Sequence, residues 1–395
     1  MSFPSPLSQR HRGDGAPIVA ASAPAAELPG LATGPVVRPT PGRRALPWLF
    51  AVLALVLLGV VAYFLTALGP GAAFVGLIVA LAPLAVVIVA VRMVDRWEPE
   101  PRGLLVLAFA WGAVAAVAIA LVADLALDRV FGSDGAVRDA VRTVLQAPVV
   151  EELAKGLGVL LIFAAACRAF DGPVDGVVYG ALIGGGFAFT ENIQYFAVSF
   201  LDGGLPEVST TFLLRGILSP FAHVMFTSVT GFAVGIAARR GASVREAAGP
   251  WLLGMLGAAC LHALWNVSAM FGDFFALYAT LQVPLFVLFV VGVLGLRREE
   301  QRLTRARLSD YADAGWFTPD EVQMLATARG RRAAYAWAHT LRGDRTSIMR
   351  AFITDATALA AARQRVLTGR DPEAAAEAAA LLARTAAARR ALFAA

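Results

Sequence analysis

Long apolar runs between about Ala45 and Leu296 constrain the fold of this chain more than any other feature. A helix needs roughly 20 apolar residues to cross the hydrocarbon core of a bilayer. Because backbone polar groups in lipid must be paired within their own segment, such runs fold as helices. The sequence therefore predicts an all-α, polytopic membrane bundle of about eight transmembrane helices. The predicted spans are about 46–68, 71–91, 104–127, 149–166, 174–200, 216–238, 251–271 and 274–296.

The two ends of the chain differ from this apolar part. Residues 1–44 are rich in Pro, Ala, Gly and Ser and contain no apolar run, which is typical of a disordered segment. After Arg298, apolar residues recur at helical spacing among charged residues, which predicts a soluble helical appendage. Thr318-Pro319-Asp320-Glu321 has the pattern of a capping box, and Asp371-Pro372-Glu373 predicts another helix start. The predicted domains are 1–44, 45–298 and 299–395.

Loop charges predict the orientation of the bundle. Arginines such as Arg92, Arg96 and Arg239 concentrate in alternate loops, whereas aspartates such as Asp202 and Asp273 lie in the loops between them. Positive residues mark the cytoplasmic side, so both termini are expected there, in a multi-pass protein of the cell membrane. Much of the net charge of +5 lies in these loops and in the last hundred residues, so it does not indicate a nucleic-acid partner. The apolar spans make the lipid bilayer the expected partner.

A few ionisable side chains interrupt the predicted spans. Such groups are costly in lipid, and they persist where they face the bundle interior or a water-filled cavity. One of them is the only lysine of the protein, and two are among its four histidines. Carboxylates and imidazoles from different helices could together activate a water molecule. These residues are Glu151, Glu152, Lys155, Glu191, His223 and His262.

Helical spacing suggests how these groups are oriented. Lys155 follows Glu151 by four residues and Glu152 by three, so it can neutralise one of them. The two glutamates point about 100° apart and are expected to have different roles. Glu191 shares a face with a stripe of small residues that includes Gly180, and such stripes allow close helix packing in membranes. Glu191 is therefore expected to face protein.

The alternating direction of the spans predicts that these groups meet at one depth. Glu151 and His223 lie near the start of outside-to-inside spans, whereas Glu191 and His262 lie late in inside-to-outside spans. All four therefore fall in the outer half of the bundle, at 1.5 Å of rise per residue. Asn266 shares the face of His262, one turn further on. The sequence predicts a single polar site walled by the fourth to seventh spans.

The motifs that carry these residues resemble those of the PrsW-type intramembrane proteases, bacterial relatives of the CAAX-processing and bacteriocin-processing membrane endopeptidases. The resemblance covers roughly residues 92–298 and implies an intramembrane endopeptidase with a membrane-anchored protein substrate. Some members are described as cutting anti-sigma factors. The motifs are Glu151-Glu152-x-x-Lys155, Phe187-x-x-x-Glu191-Asn192, His223, His262-x-x-Trp265-Asn266 and the inner loop Asp95-Arg96-Trp97-Glu98-Pro99-Glu100-Pro101.

The resemblance implies a catalytic set and leaves two mechanisms open. In one, Glu152 or Glu151 deprotonates a water, while His262 and Asn266 donate to the oxyanion. In the other, a zinc ion is bound and keeps an open position for water. The implied catalytic residues are Glu151, Glu152, Glu191, His223, His262 and Asn266, and the implied zinc ligands are Glu191, His223 and His262.

Two other functions remain possible from the residues alone. A transporter or proton relay also uses membrane carboxylates and histidines, but it predicts polar groups distributed from one leaflet to the other. A non-catalytic scaffold or sensor could bind the transmembrane helix of a partner through the glycine-lined face. The predicted clustering of polar groups at one depth favours the protease.

Overall fold

A computed structural model of the chain describes residues 45–132, 135–270 and 273–394, and no β-strand occurs among them. The predicted all-α class is confirmed. The predicted disorder of residues 1–44 lies outside the described residues. The chain divides into two compact units at Gly295–Leu296, a few residues before the boundary predicted at 298/299.

The first unit consists mainly of long helices. Segments of π-helix at Trp111–Ala116, Arg142–Gln146, Phe212–Leu218 and Tyr278–Gln282 continue several of them. The helices are α1 (Ala45–Ala67), α2 (Pro70–Val94), α3 (Arg102–Ala110), α4 (Val117–Phe131), α5 (Ala136–Val141), α6 (Ala147–Ala165), α7 (Pro173–Thr211), α8 (Ala222–Arg239), α9 (Val244–Met270), α10 (Phe274–Leu277) and α11 (Val283–Asp313), which runs on into the second unit.

Six helical segments of the described chain are long and apolar enough to cross a membrane. One of them, Pro173–Arg239, has 67 residues and contains both α7 and α8, while α6 carries three charged residues and is not among the six. Each of the eight predicted spans coincides with a helix, but eight passes and the orientation stay predictions. The segments are Pro47–Ala67, Pro70–Val94, Arg102–Phe131, Pro173–Arg239, Val244–Met270 and Phe274–Asp313.

Helix α7 is the central helix of this unit, because its glycines let neighbouring backbones approach. An added Cβ at Gly180 would lie 2.6 Å from the carbonyl oxygen of Thr227 on α8, and one at Gly184 would lie 2.2 Å from that of His223. On another face, a Cβ at Gly186 would lie 2.3 Å from the carbonyl oxygen of Phe109 on α3. The predicted close packing at the glycine stripe is present, and it positions His223 beside α7.

Gly184→Ala is expected to destabilise the protein by about 1–3 kcal/mol, because the new methyl group would overlap the backbone of α8. The thermal unfolding midpoint of the purified protein in detergent measures this effect. Gly59→Ala in α1 is the matched control: no atom lies within 4 Å of the added Cβ there, and alanine favours helices. Equal midpoints for Gly184→Ala and the wild type would contradict this packing.

The second unit is a small helical domain with its own core. Thr318 and Glu321 form the predicted capping box: Thr318 Oγ1 accepts from the Glu321 amide at 3.1 Å, and Glu321 accepts in return at 2.8 Å. The last helix begins at Ala374, later than predicted, because Asp371 accepts from the Glu373 amide in the preceding turn. Leu308 and Phe352 are fully buried in the core. Its helices are α12 (Pro319–Leu325), α13 (Ala328–His339), α14 (Thr346–Thr368) and α15 (Ala374–Phe393).

Candidate active site

Four helices bring the ionisable side chains of the spans together. Helices α6 and α8 contribute residues from their first halves, α7 contributes a residue at its middle, and α9 contributes one beyond its middle. Hydrogen bonds and ring contacts connect all of these side chains into one cluster. Its members are Glu151, Glu152 and Lys155 from α6, Glu191 from α7, His223 and Thr227 from α8, and His262 from α9.

Lys155 is fully buried at the centre of this cluster. Its Nζ lies 3.0 Å from Glu151 Oε2, 2.9 Å from Glu152 Oε1 and 3.1 Å from His223 Nδ1. An ammonium group has three donors, so every one of them has an acceptor here. Nζ also lies 3.8 Å from the centre of the Phe187 ring. The lysine therefore compensates the charge of the buried Glu152, also contacts Glu151, and joins α6 to α8.

Glu152 is enclosed by partners and has no exposed surface. Its Oε2 accepts from the Thr227 hydroxyl at 3.0 Å, and its Oε1 lies 3.1 Å from His262 Nδ1 as well as close to Lys155. Both oxygens of this carboxylate have protein partners, and neither is exposed to the cavity. Its position suits it to orient His262, whereas Glu151 keeps 13% of its side chain exposed.

The two histidines lie against each other in the cluster. Their ring centres are 4.9 Å apart with the rings nearly perpendicular, and Phe226 stacks on His262 at 5.1 Å. His223 Nε2 lies 2.9 Å from Glu191 Oε2. His262 Nε2 lies 4.0 Å from Glu151 Oε2, beyond hydrogen-bond distance. That nitrogen therefore faces the carboxylate with room for a shared ligand.

Arg215 is part of the site, although the sequence patterns do not identify it. It donates a short hydrogen bond to Glu191, and its Nε donates to Asn192 Oδ1 at 2.8 Å. Its guanidinium group also lies 3.8 Å from the centre of the Tyr195 ring. The chain reaches this position because α7 bends at Gly204 (φ 66°) and a π-helical segment then returns toward α7. The only sequence signal was an arginine close to a predicted span.

Asn266 lies on the predicted side of α9 but is already engaged. Its Nδ2 donates to the carbonyl oxygen of Thr143 at 2.7 Å, in the π-helical segment before α6. The bond joins α9 to the chain that leads into Glu151. One further amide hydrogen remains on Asn266, so its assistance to an oxyanion stays a prediction.

A polar cavity of about 660 Å³ opens onto this cluster. Of the ionisable residues in the spans, those that reach it are Glu151, Glu191, His223 and His262, together with Arg215. Glu152 and Lys155 do not line it and lie behind the others. The cavity is therefore lined by side chains that can bind or deprotonate water, and the enclosed pair supports them.

Three of these side chains are close enough together to hold a metal ion. One donor atom each from Glu151, His223 and His262 lies within 4.8 Å of the others, and among the described residues this is the one group of this kind. Two imidazoles and a carboxylate are a common ligand set of catalytic zinc. The set implied by the resemblance had Glu191 in place of Glu151. Glu191 is held by Arg215 and His223, and its role as a ligand stays untested.

The donor set fits a metal ion, with one requirement on His223. Its Nδ1 contacts Lys155 and its Nε2 contacts Glu191, so a bound metal would displace one of these partners. His262 needs no such change, because its Nδ1 is fixed by Glu152 and its Nε2 is available. A carboxylate on the second nitrogen of a ligating histidine is the usual arrangement around metals.

The loop of residues 95–101, which carries the last of the sequence motifs, lies away from this site. Its Glu100 accepts from the Tyr179 hydroxyl of α7 at 2.5 Å and donates its backbone amide to Asp95 at 3.0 Å. Tyr179 precedes Glu191 by twelve residues, about 18 Å along a helix. Burial raises the pKa of Asp95 to about 6 and raises the pKa of Glu100 well above its usual range. The loop anchors the other end of α7.

Comparisons with known proteins point in the same direction. Residues 100–293 match the family described as "PrsW family intramembrane metalloprotease". The protein "Protease PrsW" of Geobacillus kaustophilus (strain HTA426) is 29% identical over 142 residues, which are 36% of this chain and 57% of that relative. The chain thus spans little more than half of the relative's length. No solved structure matches significantly. The predicted family resemblance is confirmed, and the apolar helices and this match together indicate a membrane protein.

Proposed function

We propose that this chain, whose residues 100–293 match the PrsW family, is an intramembrane endopeptidase that cuts a membrane-anchored protein. The observation that carries the proposal is the convergence of Glu151, His223 and His262 at one cavity inside an apolar bundle. Peptide hydrolysis within a bilayer requires water held beside groups that activate it. The cavity has space for water, and the three side chains are groups that can bind and activate it.

Glu151, His223 and His262 are proposed to hold a zinc ion. When bound, zinc supplies Lewis acidity for the scissile carbonyl and lowers the pKa of water. Glu152 fixes the ring of His262 through Nδ1, and Lys155 balances the charge of Glu152. Glu191 also lines the cavity, so with Glu151 engaged as a ligand it is the carboxylate positioned to accept a proton from water. Arg215 keeps Glu191 in place beside the cavity.

The structure argues against a proton relay along α7. On this helix, one polar cluster surrounds Glu191, and Tyr179 contacts Glu100 nearer its start. Residues 180–190 between them contain no ionisable side chain, and Ile183 and Phe187 there are buried. A transporter would need polar groups along this path. A scaffold, by contrast, would not need a polar cavity at the histidines.

The predicted orientation would place this site in the outer half of the bilayer, with both termini in the cytoplasm. The substrate would then be cut near the outer end of its transmembrane segment. A single-span protein fits such a site, since one end of its helix can unwind at the bilayer surface. Anti-sigma factors are one candidate class of substrate, because some of the PrsW-type proteases that this chain resembles are described as cutting them.

Removal of the metal tests this proposal. The purified chain is expected to contain about one zinc per molecule, measured by elemental mass spectrometry. A chelator should remove the zinc and stop the cleavage of single-span peptides in liposomes, and added Zn²⁺ should restore both.

His223→Ala is expected to lose zinc in the same experiment. His339→Ala is the matched control, since this histidine is 75% exposed in the second unit and pairs with Asp344. Cleavage that persists in a zinc-free protein would contradict the metal site and favour Glu151 acting directly as the base.

A further inference from the structure

A second cavity lies next to the first and differs from it in character. Its volume is about 320 Å³, and most of its wall is aliphatic or aromatic. Val117 and Phe187 on this wall are 5% and 3% exposed, and Ala120 and Leu121 of α4 pack against them. The aliphatic and phenylalanine side chains that line it are Val117, Ala120, Leu121, Ala147, Val150, Phe187 and Val198.

The two cavities share a wall, and that wall carries the proposed chemistry. Glu151 and Glu191 line both of them, as do Arg142, Ala147 and Tyr195. A peptide bond placed at Glu151 in the polar cavity would therefore have its neighbouring residue beside the apolar one. The second cavity is positioned as a subsite for a side chain rather than as a separate site.

The charged groups at this cavity all have partners within the protein, and Glu151 is paired with Lys155. Arg142 forms a short ion pair with Asp124, and Gln146 donates to the same carboxylate at 3.0 Å. Glu191 is bound by Arg215 on its other side. Because these charges are satisfied within the protein, the surface offered to a ligand is mainly apolar. A charged ligand would have to break one of the pairs.

The size of the cavity selects among apolar occupants. A transmembrane helix is about 10–12 Å wide with its side chains, which is too large for this space. The volume lies at the lower end of the range for small-ligand pockets, roughly 300–1,000 Å³. One large side chain fits, and the shared Glu151 places it next to the reacting bond. A lipid acyl chain is entirely apolar, so it would gain no favourable interaction with the carboxylate of Glu151.

We infer that this cavity binds the side chain next to the scissile bond and selects substrates with a large apolar residue, such as Leu, Met or Phe, at that position. The inference rests on the proposed protease function. Pockets of this kind discriminate by roughly 10–200-fold for each methylene that is gained or lost. Replacing the preferred residue with Ala should therefore lower the cleavage rate at least tenfold.

A peptide library tests the inference. Single-span peptides with a randomised window near each end of the span are reconstituted with the full-length protein in phosphatidylethanolamine–phosphatidylglycerol liposomes. The cut positions are then mapped by mass spectrometry. The wild type is expected to cut beside large apolar residues. Ala120→Phe places a ring in the cavity and should shift the preference at the residue next to the cut at least tenfold toward Ala and Gly. Peptides with a small residue at that position should still be cut.

Two further variants complete the test. Ala126→Phe adds the same ring to the exposed side of α4 and should keep the wild-type preference. Leu121→Ala enlarges the cavity and should increase the cutting of Trp-containing and Phe-containing peptides, which keeps the test decisive if Ala120→Phe fails to fold.

The outcomes separate the inference from the proposed function. Cutting by the wild type with no preference at the neighbouring residue overturns the inference and leaves the protease standing. An equal loss of all products in Ala120→Phe, together with an unchanged preference in Leu121→Ala, also overturns it and indicates a lipid-filled cavity. No cutting by the wild type overturns both.

Discussion

Glu151→Gln is expected to lower kcat for peptide cleavage by about 10²–10⁴-fold, the range typical for loss of a group that moves protons or activates water. Glu151 is the glutamate of α6 that reaches the cavity, so both proposed roles, ligand and base, depend on its charge. Its amide replacement has the same shape, and its oxygen can still accept from Lys155. Folding should therefore be retained.

Initial rates in liposomes with saturating Zn²⁺ measure this effect, and the unfolding midpoint in detergent checks the fold. Glu246→Gln is the matched control, because this glutamate is exposed on α9 and bonds Ser243 in the adjoining turn. A Glu151→Gln protein that keeps more than a tenth of the wild-type rate would contradict the proposed role of Glu151 in catalysis.

Lys155→Met is expected to destabilise the protein by about 3–5 kcal/mol, the usual result of removing one partner from a buried ion pair. The lysine is fully buried and uses all three donors on Glu151, Glu152 and His223. Without it, Glu152 would carry an uncompensated charge in the bundle. The free energy of unfolding in mixed micelles measures the change.

A double variant separates charge from packing. Glu152→Gln/Lys155→Met removes both charges, so it should recover more than half of the stability lost in Lys155→Met. Arg302→Met is the control for loss of a cation, because Arg302 is 79% exposed and pairs with Glu299 at 3.7 Å. It should change stability by at most about 0.5 kcal/mol. Wild-type stability in Lys155→Met would show that the network is not structural.

The helical part of the fold could be predicted because it follows from local rules. Apolar runs of sufficient length form helices in a bilayer, and the regular rise of a helix placed Glu191 and His262 at a common level. The glycine stripe on α7 was readable for the same reason, and it places His223 beside α7. These features depend on spacing within a single segment.

The different roles of the site residues could not be predicted, because they depend on contacts between helices. The 100° offset indicated that Glu151 and Glu152 differ, but the contacts of Thr227 and His262 decide which one is enclosed. Arg215 reaches Glu191 through a bend at Gly204 and a π-helical segment, and neither follows from hydropathy. The metal-ligand set that includes Glu151 likewise requires the three-dimensional positions of Glu151, His223 and His262.

Mapping of reaction products tests the central claim most directly. The purified full-length chain is reconstituted in liposomes with single-span peptides, and the products are identified by mass spectrometry beside those of His262→Ala. The account predicts defined cuts near one end of the peptide span with the wild type and none with His262→Ala. Intact peptides with the zinc-loaded wild type, or the same cuts with His262→Ala, would contradict it.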